Sequence, residues 1–158
     1  GFPTSQSDVP AGGLAVQRAV RHSAMTKYEA LARQLHEAIQ RLEEALREPK
    51  TELIRDSAIK RFELVFDVSW KTIKAHLEEE GLLCASPLEC FREAFRQGLL
   101  DRHDTWAELV RTRNKTVHTY DERLAEEVYA ALPQALGAFQ GLLKALEKRR
   151  ASLGREYR

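Results

Sequence analysis

Apolar residues recur every three or four positions along most of the chain, the spacing that builds one buried face on an α-helix. The first stripe is Leu31, Leu35, Ala38, Ile39, Leu42, Ala45 and Leu46. It predicts a helix from about Thr26 to Arg47. Glu48-Pro49-Lys50 ends it, because a proline ring disfavours helical geometry in the residue before it. A longer stripe runs through Ile54, Ala58, Phe62, Val65, Phe66, Ser69, Ile73 and Leu77, and Trp70 widens it. It predicts a helix over about Glu52 to Glu80, stopped by Gly81, with more than one neighbour packed on it or a second copy of the chain. Ser86-Pro87 opens a short third helix: a hydroxyl cap, then proline in the first turn, where no amide hydrogen is missed. Leu88, Phe91, Ala94 and Phe95 form its inward face, and Gly98 closes it. A fourth helix carries Trp106, Leu109 and Val110, with Asp101 or Asp104 as cap. Thr119 and Glu122 have the form of a capping box. They open a last helix through Leu124, Val128, Ala131, Leu132, Leu136, Phe139, Leu143 and Leu146, kinked at Pro133. Strand signals are missing. The expected fold is all-α, an antiparallel up-and-down bundle of four to five helices.

Composition narrows the picture. The chain has 158 residues, 43% hydrophobic and 31% charged, which suits one helical domain with a real core. Residues 1–24 carry Pro3, Pro10, Gly12 and Gly13 and no clear period. The sole methionine, Met25, is read as the native start, and 1–24 as a leader or upstream extension outside the fold. The bundle is expected over 25–150, and 151–158 as a basic, frayed tail. No stretch approaches the roughly 20 apolar residues of a membrane span. Cys84 and Cys90, six positions apart, read as two reduced thiols in a cytoplasmic protein, since no disulfide framework or zinc spacing surrounds them. Net charge is +1, so nucleic-acid contact requires a local patch rather than a whole-protein field.

The candidate chemistry lies in Arg111-Thr112-Arg113-Asn114-Lys115-Thr116-Val117-His118-Thr119-Tyr120-Asp121, between the fourth helix and the last. Arg113 and His118 are five positions apart, about 140° around an ideal helix. They converge only if the helix unwinds near Thr116-Val117, where β-branched residues and the Thr119 cap favour a break. Both then stand beside the start of the last helix, whose free amides attract phosphate. Arg113 offers a planar fork of donors to a phosphate. His118 exchanges a proton near neutral pH. Tyr120 offers a ring for a base or a hydroxyl donor. Arg111 and Lys115 add local positive charge. On spacing alone, a solvated Arg–His pair on a plain helical interaction domain is the commoner outcome. Asp101-x-His103-Asp104 lacks a second cluster and reads as capping and solvated His rather than as a metal site. His36 and His76 read as exposed helix positions, and Trp70 as core or dimer interface.

Arg113-Asn114-Lys115-Thr116-Val117-His118-Thr119-Tyr120 resembles the R-x-x-x-x-H-x-Y signature of HEPN superfamily members paired with minimal nucleotidyltransferases, including the polar residue after the arginine. Ile59 to Lys71 is similar to that family's second-helix block. So are Glu78-Glu79-Glu80-Gly81, Pro87 to Phe95, Gly98-Leu99-Leu100 and Trp106. The resemblance spans roughly Tyr28 to Lys148, to the family labelled nucleotidyltransferase substrate-binding protein. It implies a four-helix bundle that forms a homodimer with the motifs near the dimer cleft. It also implies a metal-independent ribonuclease toxin needing no cofactor. A cognate nucleotidyltransferase acts as antitoxin by adding AMP to the motif tyrosine. Carried over, Arg113 holds the scissile phosphate and His118 acts as acid or base while the ribose 2′-hydroxyl attacks. Asn114 and Lys115 support the pair, and Tyr120 takes the AMP. Arg61 and Glu63 are expected near the cleft with no firm role. The alternative is a non-catalytic subunit that presents a nucleotide or substrate to a two-component nucleotidyltransferase.

Overall fold

The computed structural model describes residues 24–156; the leader expected over 1–24 lies, apart from Ala24, outside the described residues. Five α-helices and one short 3-10 turn make up the described chain, with no strand among them: α1 Lys27–Arg47, α2 Glu52–Glu79, α3 Pro87–Arg96, α4 His103–Lys115, the 3-10 turn Thr116–His118 and α5 Glu122–Glu156. The expected all-α bundle is therefore what forms.

The start of α1 is held by a capping box. Thr26 accepts from the Glu29 amide, and the Glu29 carboxylate accepts from the Thr26 amide. Thr51 and Ser86 cap α2 and α3 in the same way through their hydroxyls. Gly81 and Gly98 both take φ 78°, the left-handed conformation that lets a helix end without a Cβ penalty. Lys27, at the start of α1, pairs with Glu78 near the end of α2 at 3.5 Å, so these helices run antiparallel. Arg55 and Glu122 pair at the starts of α2 and α5, and Glu79 and Arg150 pair towards their ends, so α5 runs parallel to α2. α4 packs against α3 and α5.

The core is a chain of rings. Phe62 packs on Phe66 and Phe139, Phe66 meets Phe91 edge-on, and Phe91 lies 4.6 Å from Trp106, which meets Phe139. α2 is the central helix. Its second half buries Val65, Phe66, Val68, Ser69, Thr72, Ile73, Ala75, His76 and Leu77, nearly all the way round. That explains the wide stripe, and Trp70 stays half-buried beside it.

Several local expectations are corrected. Cys84 and Cys90 form a disulfide rather than two thiols, because the turn from Gly81 to Pro87 folds back and brings their Cα atoms to 5.1 Å. Leu88 and Phe95 are exposed, leaving Phe91 and Ala94 as the inward face of α3. α4 starts at His103 after Arg102, with no side-chain cap from Asp101 or Asp104. The last helix is capped by Asp121, which accepts from the Arg123 and Leu124 amides. This helix includes Pro133 and runs to Glu156.

His76 is the largest correction. It is fully buried, not exposed. Arg150 reaches back from α5, lies 3.6 Å from the centre of the Tyr28 ring, pairs with Glu79, and approaches His76 Nδ1 at 3.2 Å. Nδ1 therefore faces a cation, and Nε2 faces Glu80 at 3.2 Å. Burial pushes the imidazole pKa below its ordinary value, with Glu80 opposing and Arg150 adding to the fall. Between the two pKa values the unfolded chain binds a proton that the folded chain refuses. The stability His76 contributes is thus complete above about pH 6.5 and is lost as pH falls below that value. Urea unfolding should show a midpoint that drops between pH 7 and pH 5.5. His76→Gln should flatten that slope; an unchanged slope would assign it to other groups.

Candidate functional site

The segment after α4 is built around one buried hydroxyl. Thr116 Oγ1 donates to the Arg113 carbonyl at 2.7 Å and accepts from Arg113 Nη1 at 2.9 Å. The first bond is the back-bond by which a threonine competes with helix continuation. The chain tightens into a 3-10 turn at Thr116–His118, where the unwinding was expected. Thr119 spends its hydroxyl on the Thr116 carbonyl at 3.1 Å, which is why it does not cap α5. Asp121 takes that role, and its carboxylate occupies the amides that a phosphate would otherwise use. The expectation that the start of the last helix is open to an anion is corrected accordingly.

The motif side chains divide into two groups. Arg113 is half-buried and turned towards α2, with Nε 3.6 Å from Asp67 Oδ1. His118 and Tyr120 are exposed, with Tyr120 Oη 3.4 Å from His118 Nδ1 and the two rings edge-to-face. No hydrogen bond or ion pair joins Arg113 to His118 among the described residues. Asn114 is exposed, and Lys115 lies 3.8 Å from Glu127. Tyr120 is 85% exposed, more than any other tyrosine, tryptophan or phenylalanine described, although its ring edges a groove of about 260 Å³. The opposite wall is α2, with Asp56, Lys60 and Glu63.

Glu63 lines this groove together with Thr119 and Tyr120 of the motif. Arg61 does not. It donates to the Arg41 carbonyl at 2.6 Å and lines a separate groove with Arg41, Glu44 and Leu64. Two residues along a helix turn about 200°, so positions 61 and 63 face nearly opposite ways.

Residues without an assigned role in the sequence complete the frame. Asp56, Lys60, Glu63 and Asp67 follow one another at 4-3-4 spacing, one face of α2. Arg55 is buried and clamps the start of α5. It gives two bonds to Glu122, at 2.6 and 3.1 Å, and one to Glu126 at 2.9 Å, while Lys50 also pairs with Glu126. Those bonds hold the Glu122 and Glu126 carboxyls below their usual pKa. The signal for Asp67 was its place one turn after Glu63. For Arg55 a sequence shows no signal, since a buried arginine and a surface one look alike. Arg55→Gln should speed amide exchange across Glu122–Glu126 by about tenfold while exchange around Phe66 stays slow; equal protection in both variants would show that the clamp is dispensable.

Comparison with known proteins agrees with this frame. A family model for "nucleotidyltransferase substrate binding protein like" matches residues 25–148. A curated protein of Haemophilus influenzae, "Probable ribonuclease HepT", is 33% identical over 97 residues, covering 58% of this chain and 66% of that one. The chain thus spans just under two thirds of that relative. A crystal structure from Thermus thermophilus is 37% identical, with a TM-score of 0.67 over 71% of this chain and 98% of that one. A Haemophilus influenzae structure, described as revealing the fold of a substrate binding domain of a nucleotidyltransferase, is 27% identical, with a TM-score of 0.66 over 73% and 98%.

Proposed function

The chain belongs to the nucleotidyltransferase substrate binding protein like family, and from that membership we propose that it is a HEPN-type ribonuclease toxin silenced by AMP on Tyr120. The observation that carries this reading is the pairing of Tyr120 with His118: a highly exposed hydroxyl 3.4 Å from an exposed imidazole nitrogen. Such a tyrosine is open to an enzyme, and what is attached to it blocks the histidine.

The chemistry is transesterification within RNA. The ribose 2′-hydroxyl attacks the neighbouring phosphorus and loses its proton to a base. The bond to the 5′-oxygen breaks, and that oxygen takes a proton from an acid. The products are a 2′,3′-cyclic phosphate and a free 5′-hydroxyl. His118 supplies the base or the acid, since a neutral imidazole carries both a proton acceptor and a proton donor. Arg113 holds the phosphate and offsets charge gathering on its oxygens. Asn114 and Lys115 border the site and help to seat the strand. No cofactor or metal enters this scheme. A homodimer would bring a second motif to the same cleft. AMP on Tyr120 adds bulk and a negative charge two residues from His118, which excludes the RNA backbone. The donor enzyme is a cognate minimal nucleotidyltransferase.

A second reading is a non-catalytic subunit that presents a nucleotide or substrate to the nucleotidyltransferase. The description of the related Haemophilus structure favours it, as does the lack of a direct Arg113–His118 contact within one chain.

The purified chain should cleave single-stranded RNA in EDTA, and His118→Ala should slow cleavage by at least about a hundredfold. Undiminished cleavage by His118→Ala would dispose of the reading. Nucleotide binding without cleavage of any RNA pool would favour the second. After co-expression with the nucleotidyltransferase, mass spectrometry should find adenylyl mass on Tyr120 and none on Tyr120→Phe.

A further inference from the structure

Arg113 is held from two sides. A guanidinium carries five N–H donors. Nη1 gives one to Thr116 Oγ1 at 2.9 Å. Nε is buried and makes no hydrogen bond among the described residues. It faces Asp67 Oδ1 at 3.6 Å, too long for a direct hydrogen bond but close enough for strong attraction between opposite charges. Asp67 comes from α2 and Thr116 from the 3-10 turn, so two separate elements grip opposite edges of one planar group. The other Nη1 hydrogen and both Nη2 hydrogens remain for a ligand.

We propose that Asp67 is a positioning residue that aims Arg113 at the substrate phosphate, with Thr116 as the opposing stop. The inference rests on the reading of Arg113 as the phosphate-binding group. An unrestrained arginine samples many rotamers and must be ordered each time a phosphate arrives. Held at both edges, it is ordered in advance, and its free end faces outward. Asp67 is not a neutral brace. It is half-exposed and negative, so it also repels the phosphate that Arg113 attracts. It therefore helps orientation and opposes ground-state binding.

Those two effects separate in kinetics. Asp67→Asn keeps the shape and removes the charge. It should lower kcat by about tenfold or more through loss of aim, while KM stays level or falls because the repulsion is gone. Asp67→Glu keeps the charge on a longer arm that can close the 3.6 Å gap. It should stay within about threefold of the original kcat. A brace needed only for stability would lower both kcat and thermal stability, with no fall in KM. Asp67→Asn within about twofold of the original kcat, or with KM raised at constant kcat, would overturn the proposal.

His118→Ala, assayed beside these variants, keeps two failures apart. If it cleaves normally, the ribonuclease reading fails and the positioning role falls with it. If it is inactive while Asp67→Asn is unaffected, only the positioning role fails. A readout without turnover is the Nε–H resonance of Arg113 in nitrogen-15 NMR. It should shift and exchange faster with water in Asp67→Asn, and an unmoved resonance would also overturn the proposal.

Discussion

Both the break in the chain and the hold on its arginine depend on the hydroxyl of Thr116. A helix continuing past Lys115 would carry Arg113 and His118 about 140° apart. The bond from Thr116 Oγ1 to the Arg113 carbonyl competes with that continuation, and the same oxygen accepts from the arginine side chain. Thr116 is buried, so water does not compete for either bond. The following carbonyl is met by Thr119 and the next amides by Asp121, so the chain leaves one helix and enters the next with its turn groups paired.

That turn needs rigid ends to work from, and α5 is fixed to α2 near both of its own ends. Near the start, Arg55 is buried against Glu122 and Glu126. Towards the far end, Arg150 joins Tyr28, His76 and Glu79. Each arginine is paired with carboxylates rather than left bare, which keeps the cost of burying a charge from outweighing its attraction. The two anchors differ in their response to pH. The first relies on carboxylates, which keep their charge until well below neutrality. The second depends on a neutral imidazole, so mild acid weakens the C-terminal anchor first.

The helices were legible because each carries a stripe with the right period and a recognisable stop, as at Pro49, Gly81 and Gly98. The break after Lys115 was legible from the β-branched pair Thr116-Val117, although the cap proved to be Asp121 rather than Thr119. What stayed hidden depends on contacts between distant parts of the chain. His76 looks exposed on its own helix and is buried where α1 brings Tyr28 and α5 brings Arg150 against it. The Cys84–Cys90 bond depends on how tightly one turn folds, which six residues of spacing do not determine. The choice of Asp121 over Thr119 as cap follows from where the hydroxyl of Thr119 is already committed. Arg61 and Glu63 sat in one block of sequence, yet helical geometry sends them to opposite faces.

The capping by Asp121 bears on how a phosphate is held. Helix-start amides are the usual backbone donors for an anion, and here a carboxylate already takes two of them. If His118 works on a phosphate as proposed, side chains must hold that phosphate. Arg113 is the motif cation held at both edges, while Lys115, 3.8 Å from Glu127, stays half-exposed beside it. The face is also open to water: Val117 is 66% exposed and Tyr120 is 85% exposed. Charge pairing weakens in such a setting unless something covers it. A partner surface over Val117 and Tyr120 would supply that cover and strengthen the grip of Arg113. On the proposed reading the same exposure is what opens Tyr120 to modification, so covering this face and modifying it would be competing fates of one surface.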